Sequence, residues 1–277
     1  MPLKIPIFAE DMPHNTPDKE LKEKPVILVT NDDGITAPGI AALVKAMKTI
    51  GEVVVVAPDS PQSGMGHAIT VAEPLRLDEV KVFSGVRCYQ ASGTPADCVK
   101  LAVARVLHRK PDLVVSGINH GSNASINVIY SGTMSAAVEG AIEGIQAIGF
   151  SLVNYSHNAD MEASIKVATK LARKLLADPL PQGTLLNVNI PYVDYNKLKG
   201  YRICRQAVAK YDEKFDERID PNGRKYYWLT GAFVNHDHGE DTDEWALAND
   251  YVSIVPVQFD LTAHYAIANL KNWEENA

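Results

Sequence analysis

The sequence predicts an α/β fold: a mostly parallel sheet flanked by helices, followed by a C-terminal extension rich in β-hairpins. A strand, a helix and a second strand follow one another within residues 26–57, an order that requires a parallel crossover. The alternation of strands and helices then recurs as far as residue 190. Near residue 200 the chain changes to Tyr- and Val-rich runs separated by polar turns, which is typical of hairpins.

The first elements follow from aliphatic runs and helical spacing. VILVT at 26–30 ends in turn residues and predicts a buried strand. Residues 38–50 carry apolar side chains at helical spacing and begin with Pro38, which suits a first helical turn. The all-aliphatic run 53–57 predicts the second strand, and the alternating segment 68–91 predicts a β-hairpin excursion.

The later elements continue the same order. We predict helices over 95–108, 133–144 and 161–177, and strands over 112–116, 146–152 and 185–190. Hairpins and a final helical stretch near 261–273 are expected after residue 200. The predicted division is therefore an N-terminal extension (1–25), an α/β core (26–195) and a C-terminal hairpin and helix region (196–277) suited to exchange or pairing between subunits.

Composition restricts the function classes. Of the 277 residues, 46% are apolar and 22% are charged, as in a globular protein with a sizeable core. The net charge of −7 argues against a nucleic-acid partner. It still allows a small phosphorylated substrate, because a bound cation can supply local positive charge.

The cysteines and the N-terminal residues indicate the cellular compartment in which we expect the protein. Cys88, Cys98 and Cys204 are odd in number and show no CxxC spacing, which favours reduced thiols in a cytoplasmic protein. No run of about 18 apolar residues predicts a membrane span. The first 25 residues have five prolines and lack the features of a signal peptide, so we do not expect secretion.

Unusual polar residues follow four predicted strand or helix boundaries. In open α/β sheets, ligands bind beyond the carboxyl ends of the strands, so these groups should meet at one edge. The groups are Asn31-Asp32-Asp33-Gly34; Asp59, Ser60, Ser63 and His67; Asn119, His120 and Asn123; and Tyr130 to Ser135.

Two adjacent carboxylates, Asp32 and Asp33, repel each other unless something positive lies between them. Together with oxygen donors from Ser63 and Asn119 they form an all-oxygen ligand set of the kind that Mg²⁺ or Mn²⁺ prefers. For Asp-Asp-Gly alone a turn is the better interpretation, since these residues favour turns. With the other strand ends included, a site for one divalent ion is the better one.

Ser131, Gly132 and Thr133 stand at a predicted helix start, where free N–H groups and the helix dipole favour a phosphate. An N-cap by Ser131 or Thr133 is the alternative. A second helix start, GTPAD at 93–97, is interpreted as structural, with Thr94 as the cap.

Four further polar residues invite two interpretations each. His67 is either an acid for a leaving group or an ordinary loop histidine. His236 and His238 resemble a metal cluster, but a solvated acidic loop explains NHDHGEDTDE better. Lys100 is expected at the surface or in a salt bridge.

Several enzyme classes are disfavoured by motif. No GxGxxG follows the first strand and GxxxxGK[ST] is absent, which argues against a dinucleotide oxidoreductase and a P-loop. The adjacent carboxylates also differ from the DxD spacing of phosphatases that form an aspartyl-phosphate.

Several motifs resemble the SurE survival-protein family over nearly the whole chain from about residue 26. They are VTNDDG, APDSPQSGMGHAIT, GTPADCVKLA, DLVVSGINHGSN, YSGTMSAAVEGA, LLNVNIP, DPNGRKYYWLTG, TDEWAL and DYVSIVPVQFDLT. The resemblance implies a metal-dependent 5′/3′-nucleotidase with a Rossmann-like core and a C-terminal extension that swaps between subunits, giving homodimers and sometimes homotetramers. The N-terminal extension departs from the usual family start, and SPQ before Ser63 replaces charged residues that are frequent in the family.

The resemblance also implies residue roles. Asp32, Asp33, Ser63 and Asn119 match the metal ligands, and Asn31, Asn123, Ser131, Gly132 and Thr133 match the phosphate contacts. We expect metal-assisted attack by water on a nucleoside monophosphate, with Asp32 helping to deprotonate the water, Asn31 orienting the phosphate and His67 a possible acid. A metal-dependent nucleotide-sugar transferase and a non-catalytic nucleotide sensor are the alternatives.

Overall fold

A computed structural model describes residues 24–276, so the N-terminal extension predicted for 1–25 lies almost entirely outside the described residues. The mixed α/β class and the mostly parallel sheet are confirmed. Nine strands form one sheet in the order β3-β4-β2-β1-β5-β6-β7-β11-β8. Their bounds are β1 Val26–Thr30, β2 Glu52–Pro58, β3 Leu77–Val80, β4 Arg87–Ala91, β5 Leu113–His120, β6 Gln146–Leu152, β7 Thr184–Ile190, β8 Tyr201–Ile203 and β11 Val252–Gln258.

The helices cover both faces of this sheet. Their bounds are α1 Pro38–Met47, α2 Pro95–Leu101, α3 Asn127–Tyr130, α4 Gly132–Ile142, α5 Glu162–Ala177, α6 Asp243–Ala248 and α7 His264–Leu270. The helix predicted over 95–108 changes to a π-helical turn at Ala102–Val106, where the Leu107 N–H bonds the carbonyl of Ala102 at 2.9 Å. No helix in residues 24–276 has both the length and the apolar character that a membrane span requires.

The core has two layers because successive side chains of a strand point to opposite faces. Ile27 and Val29 of β1 belong to the apolar cluster that includes residues of α1 and α5. Leu28, between them, belongs to the cluster that includes residues of α2 and α4. β1 pairs in parallel with both β2 and β5, which brings the carboxyl ends of these three strands to one edge.

The C-terminal part contains the predicted hairpin, but two of the strands expected in hairpins there belong to the main sheet. β9 (Ala209–Ile219) and β10 (Lys225–Asn235) do form an isolated antiparallel hairpin. β11, however, pairs antiparallel with β7, and β8 lies parallel to β11, so both strands complete the main sheet. Aliphatic Val252, Ile254 and Val255 are buried there, and this burial requires a place in the core. The division at residue 195 stays a prediction.

The segment predicted as a hairpin excursion, 68–91, also contributes to the main sheet. β3 and β4 pair antiparallel, as expected of a hairpin, but β4 then pairs in parallel with β2. Cys88 and Ala91 of β4 are buried by this pairing. Cys88, Cys98 and Cys204 are free thiols and all three are buried.

Candidate active site

Asp32 is a buried carboxylate at the carboxyl end of β1, with 5% of its surface exposed. The Thr133 hydroxyl donates a hydrogen bond to its Oδ1 at 2.5 Å. Burial raises the pKa of Asp32 to about 6; the Thr133 hydrogen bond lowers it and the nearby charge of Asp33 raises it. The site therefore holds Asp32 in an environment where a positive partner would strongly favour its charged form.

The start of α4 closes over Asp32. A Cβ added to Gly132 would lie 2.6 Å from the Asp32 Cβ and 3.0 Å from its Oδ2, so only glycine allows this approach. Ser131 caps the helix by accepting from the Met134 N–H at 3.0 Å, as the alternative interpretation of this motif expected. Asp32 thus lies beside the helix N-terminus where the sequence predicts a phosphate, and that phosphate contact stays a prediction.

Two buried oxygen atoms next to Asp32 have no hydrogen-bond partner among the described residues: Asn31 Oδ1 and Asp33 Oδ2. The Asn31 amide donates to the carbonyl of Gly34 at 2.9 Å, which leaves its Oδ1 as an acceptor. Buried polar atoms are normally paired, because an unpaired one costs about 1–3 kcal/mol. These orphaned oxygens are consistent with a cation or a bound ligand at this point.

His120 is the residue whose role the sequence did not indicate, although the GINHGSN motif placed it at the same strand end. Its Nδ1 lies 3.6 Å from Asp33 Oδ2, and its side chain is only 3% exposed. Neither ring nitrogen has a hydrogen-bond partner among the described residues. The imidazole therefore adds a nitrogen donor or acceptor to an edge otherwise lined by oxygens.

Asn119 reaches the edge through an irregularity in β5. The register between β5 and β6 shifts between Ser116 and Asn119. The Asn119 amide nitrogen donates to the carbonyl of Gly121 at 2.9 Å, so its carbonyl oxygen is the side-chain atom left for a ligand. This orientation suits the predicted role as an oxygen donor.

Ser63 lies in the exposed loop after β2, and this loop is held against the Asp32 backbone. The Gln62 N–H donates to the Asp32 carbonyl at 2.8 Å, and the Ile35 N–H donates to the Pro58 carbonyl at 2.9 Å. The loops after β1 and β2 therefore meet as predicted, and Ser63 itself is exposed.

The side chains at this edge have the chemistry that the predicted metal site requires. Within residues 24–276 no group of three His, Cys, Asp or Glu side chains could hold a metal ion. A cation at Asp32 and Asp33 would consequently depend on neutral oxygens such as those of Ser63 and Asn119, a set that hard ions accept.

Asn123 is placed inside a buried amide network rather than at the open edge. Its side chain donates to Ser151 Oγ at 2.8 Å, its N–H donates to Asn189 Oδ1 at 2.8 Å, and its carbonyl accepts from Asn187 at 2.8 Å. These contacts fix the loop after β5. Its predicted phosphate contact stays a prediction.

His67 is tethered to α4 through a residue that the sequence did not single out, Glu139. His67 Nε2 lies 2.9 Å from Glu139 Oε2, and Lys100 donates to Glu139 Oε1 at 2.7 Å, which confirms the expected salt bridge of Lys100. Burial would raise the pKa of Glu139, but the hydrogen bonds from His67 and Lys100 outweigh it and lower the pKa. The buried carboxylate thus fixes the position of the His67 ring.

Two further expectations are confirmed. Thr94 caps α2 in a capping box with Asp97. His236 and His238 are exposed, as expected of a solvated loop.

The family model and the relatives that match this chain point to the same family. Residues 27–213 match the family model described as "Survival protein SurE". The protein named 5′-nucleotidase SurE from Christiangramia forsetii is 62% identical over 257 residues, covering 92% of this chain and 99% of that protein. The protein of the same name from Phocaeicola vulgatus is 44% identical over 253 residues, covering 91% and 98%.

A solved structure agrees with these relatives. The crystal structure of the SurE protein from Aquifex aeolicus superposes with a TM-score of 0.79 at 42% identity, covering 90% of this chain and 100% of that chain.

Proposed function

The chain belongs to the survival protein SurE family, and we propose that it hydrolyses nucleoside 5′- and 3′-monophosphates to a nucleoside and phosphate. Its relatives carry the name 5′-nucleotidase SurE. The observation that carries the proposal is the pair of orphaned oxygens, Asn31 Oδ1 and Asp33 Oδ2, beside buried Asp32 at the carboxyl edge of the sheet. Such unpaired buried groups are retained where a ligand completes them.

The proposal includes one divalent ion, Mg²⁺ or Mn²⁺, held by Asp32, Asp33, Ser63 and Asn119. When bound, such an ion neutralises charge on a phosphoryl oxygen and lowers the pKa of water. The adjacent carboxylates and the free carbonyl oxygen of Asn119 support this ligand set.

The chain's own residues would bind and orient the substrate. Asn31, Asn123 and the start of α4 at Ser131, Gly132 and Thr133 are proposed to position the phosphate. Asp32 accepts a proton from the attacking water, with its carboxylate held in place by Thr133. The water oxygen bonds to phosphorus as the bond to the ribose oxygen breaks.

His67 is proposed to donate a proton to the departing ribose oxygen, so that the products are an alcohol and a phosphate. The contact with Glu139 supports this role, because a carboxylate on Nε2 stabilises a proton on the ring and fixes its direction. The same contact also links the loop after β2 to α4.

We further propose a cytoplasmic homodimer or homotetramer that forms no stable nucleic-acid complex and does not associate with membranes. The net charge of −7 supports the absence of a nucleic-acid complex. Exposed Phe215, Trp228 and Leu229 on the β9–β10 hairpin support association between subunits.

The test is release of inorganic phosphate from a panel of 5′- and 3′-nucleotides with EDTA, Mg²⁺, Mn²⁺ and Ca²⁺ in parallel. We expect metal-dependent release, and a loss of about 100-fold or more in Asp32→Asn, since it removes a buried charge at the site. Asp78→Asn, which changes an exposed carboxylate on edge strand β3, is the matched control and should retain activity.

Other outcomes would contradict hydrolysis. Full activity of Asp32→Asn at saturating metal would remove the proposed site. Tight nucleotide binding without turnover would indicate a sensor, and phosphate transfer that requires an acceptor would indicate a transferase.

A further inference from the structure

His120 carries a buried imidazole that has no part in the proposed hydrolysis. It is the last residue of β5, directly after Asn119, and its side chain is 3% exposed. Neither ring nitrogen has a hydrogen-bond partner in residues 24–276. Buried nitrogens without partners lower the stability of a fold, and an apolar side chain of similar size would fill the same space without that cost. A histidine here therefore indicates a contact that packing alone does not require.

The group that faces this imidazole is the carboxylate of Asp33. The Nδ1 atom of His120 lies 3.6 Å from Oδ2 of Asp33, and this oxygen is itself buried and unpaired among the described residues. The distance is too long for a hydrogen bond, but a shift of about 0.4 Å would bring the two atoms within range. Because an ionised carboxylate only accepts, the ring would donate from a protonated Nδ1.

The ring of His120 is held in place by its neighbours. The N–H of Gly121 donates to the Leu152 carbonyl at 2.9 Å, which ties the end of β5 to β6. The ring of His157, in the loop after β6, lies against the His120 ring with centroids 5.1 Å apart. The Asp33 side chain is the more exposed partner, at 16%. The carboxylate is therefore the group that closes the gap.

The arrangement matches a histidine behind a metal ligand rather than a histidine that is a ligand. Asp32, Asp33 and His120 do not form a set that could hold an ion, since no three His, Cys, Asp or Glu side chains of residues 24–276 do so. A carboxylate oxygen has more than one acceptor site, so Oδ2 of Asp33 can contact an ion and a ring N–H together. Carboxylates that bind metals are commonly oriented by such a second hydrogen bond.

We propose that His120 is a positioning residue for the divalent ion: its Nδ1–H donates to Asp33 Oδ2 when the ion is bound and holds this carboxylate in its binding orientation. The inference rests on the proposed metal site and adds the residue that orients one of its ligands. Loss of such a partner lowers metal affinity by a factor on the order of 10 to 100.

Calorimetric titration with Mn²⁺, without nucleotide, measures this affinity in the absence of turnover. His120→Leu has no donor and should raise the Kd for Mn²⁺ by a factor on the order of 10 to 100. His120→Asn carries an amide N–H close to the position of Nδ1 and should keep the Kd near that of the wild type. His120→Gln places its amide closer to the position of Nε2, away from Asp33, and should behave like His120→Leu.

His264→Leu is the matched control. His264 Nε2 lies 2.7 Å from Asp260 Oδ2, so this variant removes an exposed contact between an imidazole and a carboxylate at α7. It should leave the Kd for Mn²⁺ unchanged. Circular dichroism and urea unfolding of the metal-free proteins establish which variants are folded. A wild-type Kd in folded His120→Leu or His120→Gln would overturn the inference, and so would an equal loss in His120→Asn.

Pulsed electron paramagnetic resonance of bound Mn²⁺ separates a positioning residue from a ligand. An imidazole bonded directly to Mn²⁺ gives a strong ¹⁴N coupling, which should be absent from the wild-type spectrum. A strong coupling that disappears in His120→Leu would overturn the inference, because His120 would then be a ligand.

The same measurements separate this inference from the proposed hydrolysis. If His120 determined the Mn²⁺ affinity of a protein that releases no phosphate, hydrolysis would be wrong and the inference confirmed. Metal-dependent phosphate release with one Kd for all variants would support hydrolysis and overturn the inference. A wild-type protein that binds no Mn²⁺ would overturn it as well.

Discussion

The contact between Asp32 and Gly132 shows how single residues determine the candidate site. Asp32 is buried under the first turn of α4, and Thr133 donates to its Oδ1. This approach leaves no room for a methyl group at position 132, because the carboxylate of Asp32 lies where it would point. Glycine here is a packing requirement of the site.

Gly132→Ala should reduce phosphate release by about 10-fold to 100-fold, because displacing a reacting group by about 1 Å can cost that much. Alanine also favours helix over glycine by roughly 1 kcal/mol, so the variant should stay folded. Steady-state kinetics and urea unfolding measure the two effects separately.

Gly140→Ala is the control for that experiment. It lies in the same helix, but its added Cβ would meet Val114 at 3.0 Å and Ala147 at 3.3 Å instead of Asp32. Its effect should be confined to the free energy of unfolding. Full activity of Gly132→Ala would show that Asp32 tolerates displacement.

At the scale of one element, the capping box of α2 shows how a single side chain makes several stabilising contacts. Asp97 accepts from the Thr94 N–H at 3.0 Å and from the Thr70 N–H at 3.1 Å, while Thr94 accepts from the Asp97 N–H. One side chain thereby starts the helix and holds the segment before β3. Burial would raise the pKa of Asp97, but these hydrogen bonds outweigh it and lower the pKa.

Asp97→Asn should destabilise the protein by about 1–2 kcal/mol at pH 7. A carboxyl whose folded pKa is depressed contributes stability above its unfolded pKa, near 3.9, and loses it as pH falls through the folded value. The difference from wild type should therefore shrink below about pH 4.

Urea unfolding at pH 7, 5, 4 and 3 measures this dependence. Asp78→Asn, on exposed edge strand β3, is the control and should show little difference at any pH. A deficit in Asp97→Asn that is the same at every pH would show that charge is not the cause.

On the scale of the whole molecule, the β9–β10 hairpin projects from a compact sheet. Its two strands pair only with each other in the described part of the chain. Large apolar side chains on it are exposed, including Phe215, Tyr227 and Trp228. An extended apolar hairpin of this kind is a candidate for contact between subunits.

Removal of residues 211–233 should leave the core folded and lower the mass of the assembly. Lys210 and Val234 face each other in the hairpin register, so an Asn-Gly turn can join them. Light scattering should give the full chain a multiple of 30.2 kDa and the shortened chain a smaller multiple.

A variant in which only the turn at residues 220–224 is shortened is the control, since both strands remain. It should keep the mass of the full chain. An unchanged mass after removal of the whole hairpin would exclude the hairpin from the interface.

The sequence by itself determined the features that depend on local pattern. Strands, helices and the Thr94 cap follow from the periodicity and chemistry of neighbouring residues. The expectation that Asp32, Ser63 and Asn119 lie on loops at one edge needed only the rule that parallel strands align their carboxyl ends.

Tertiary structure alone decided which side chains meet across the chain. Thr133 and Asp32 are 101 residues apart in sequence, and His67 and Glu139 are 72 apart, yet both pairs are in contact. The places of β8 and β11 in the main sheet were likewise settled by pairing with β7 and with each other. Such contacts depend on the packing of distant elements, which no local pattern encodes. This is why Glu139, and the contact of His120 with Asp33, emerged only from the fold.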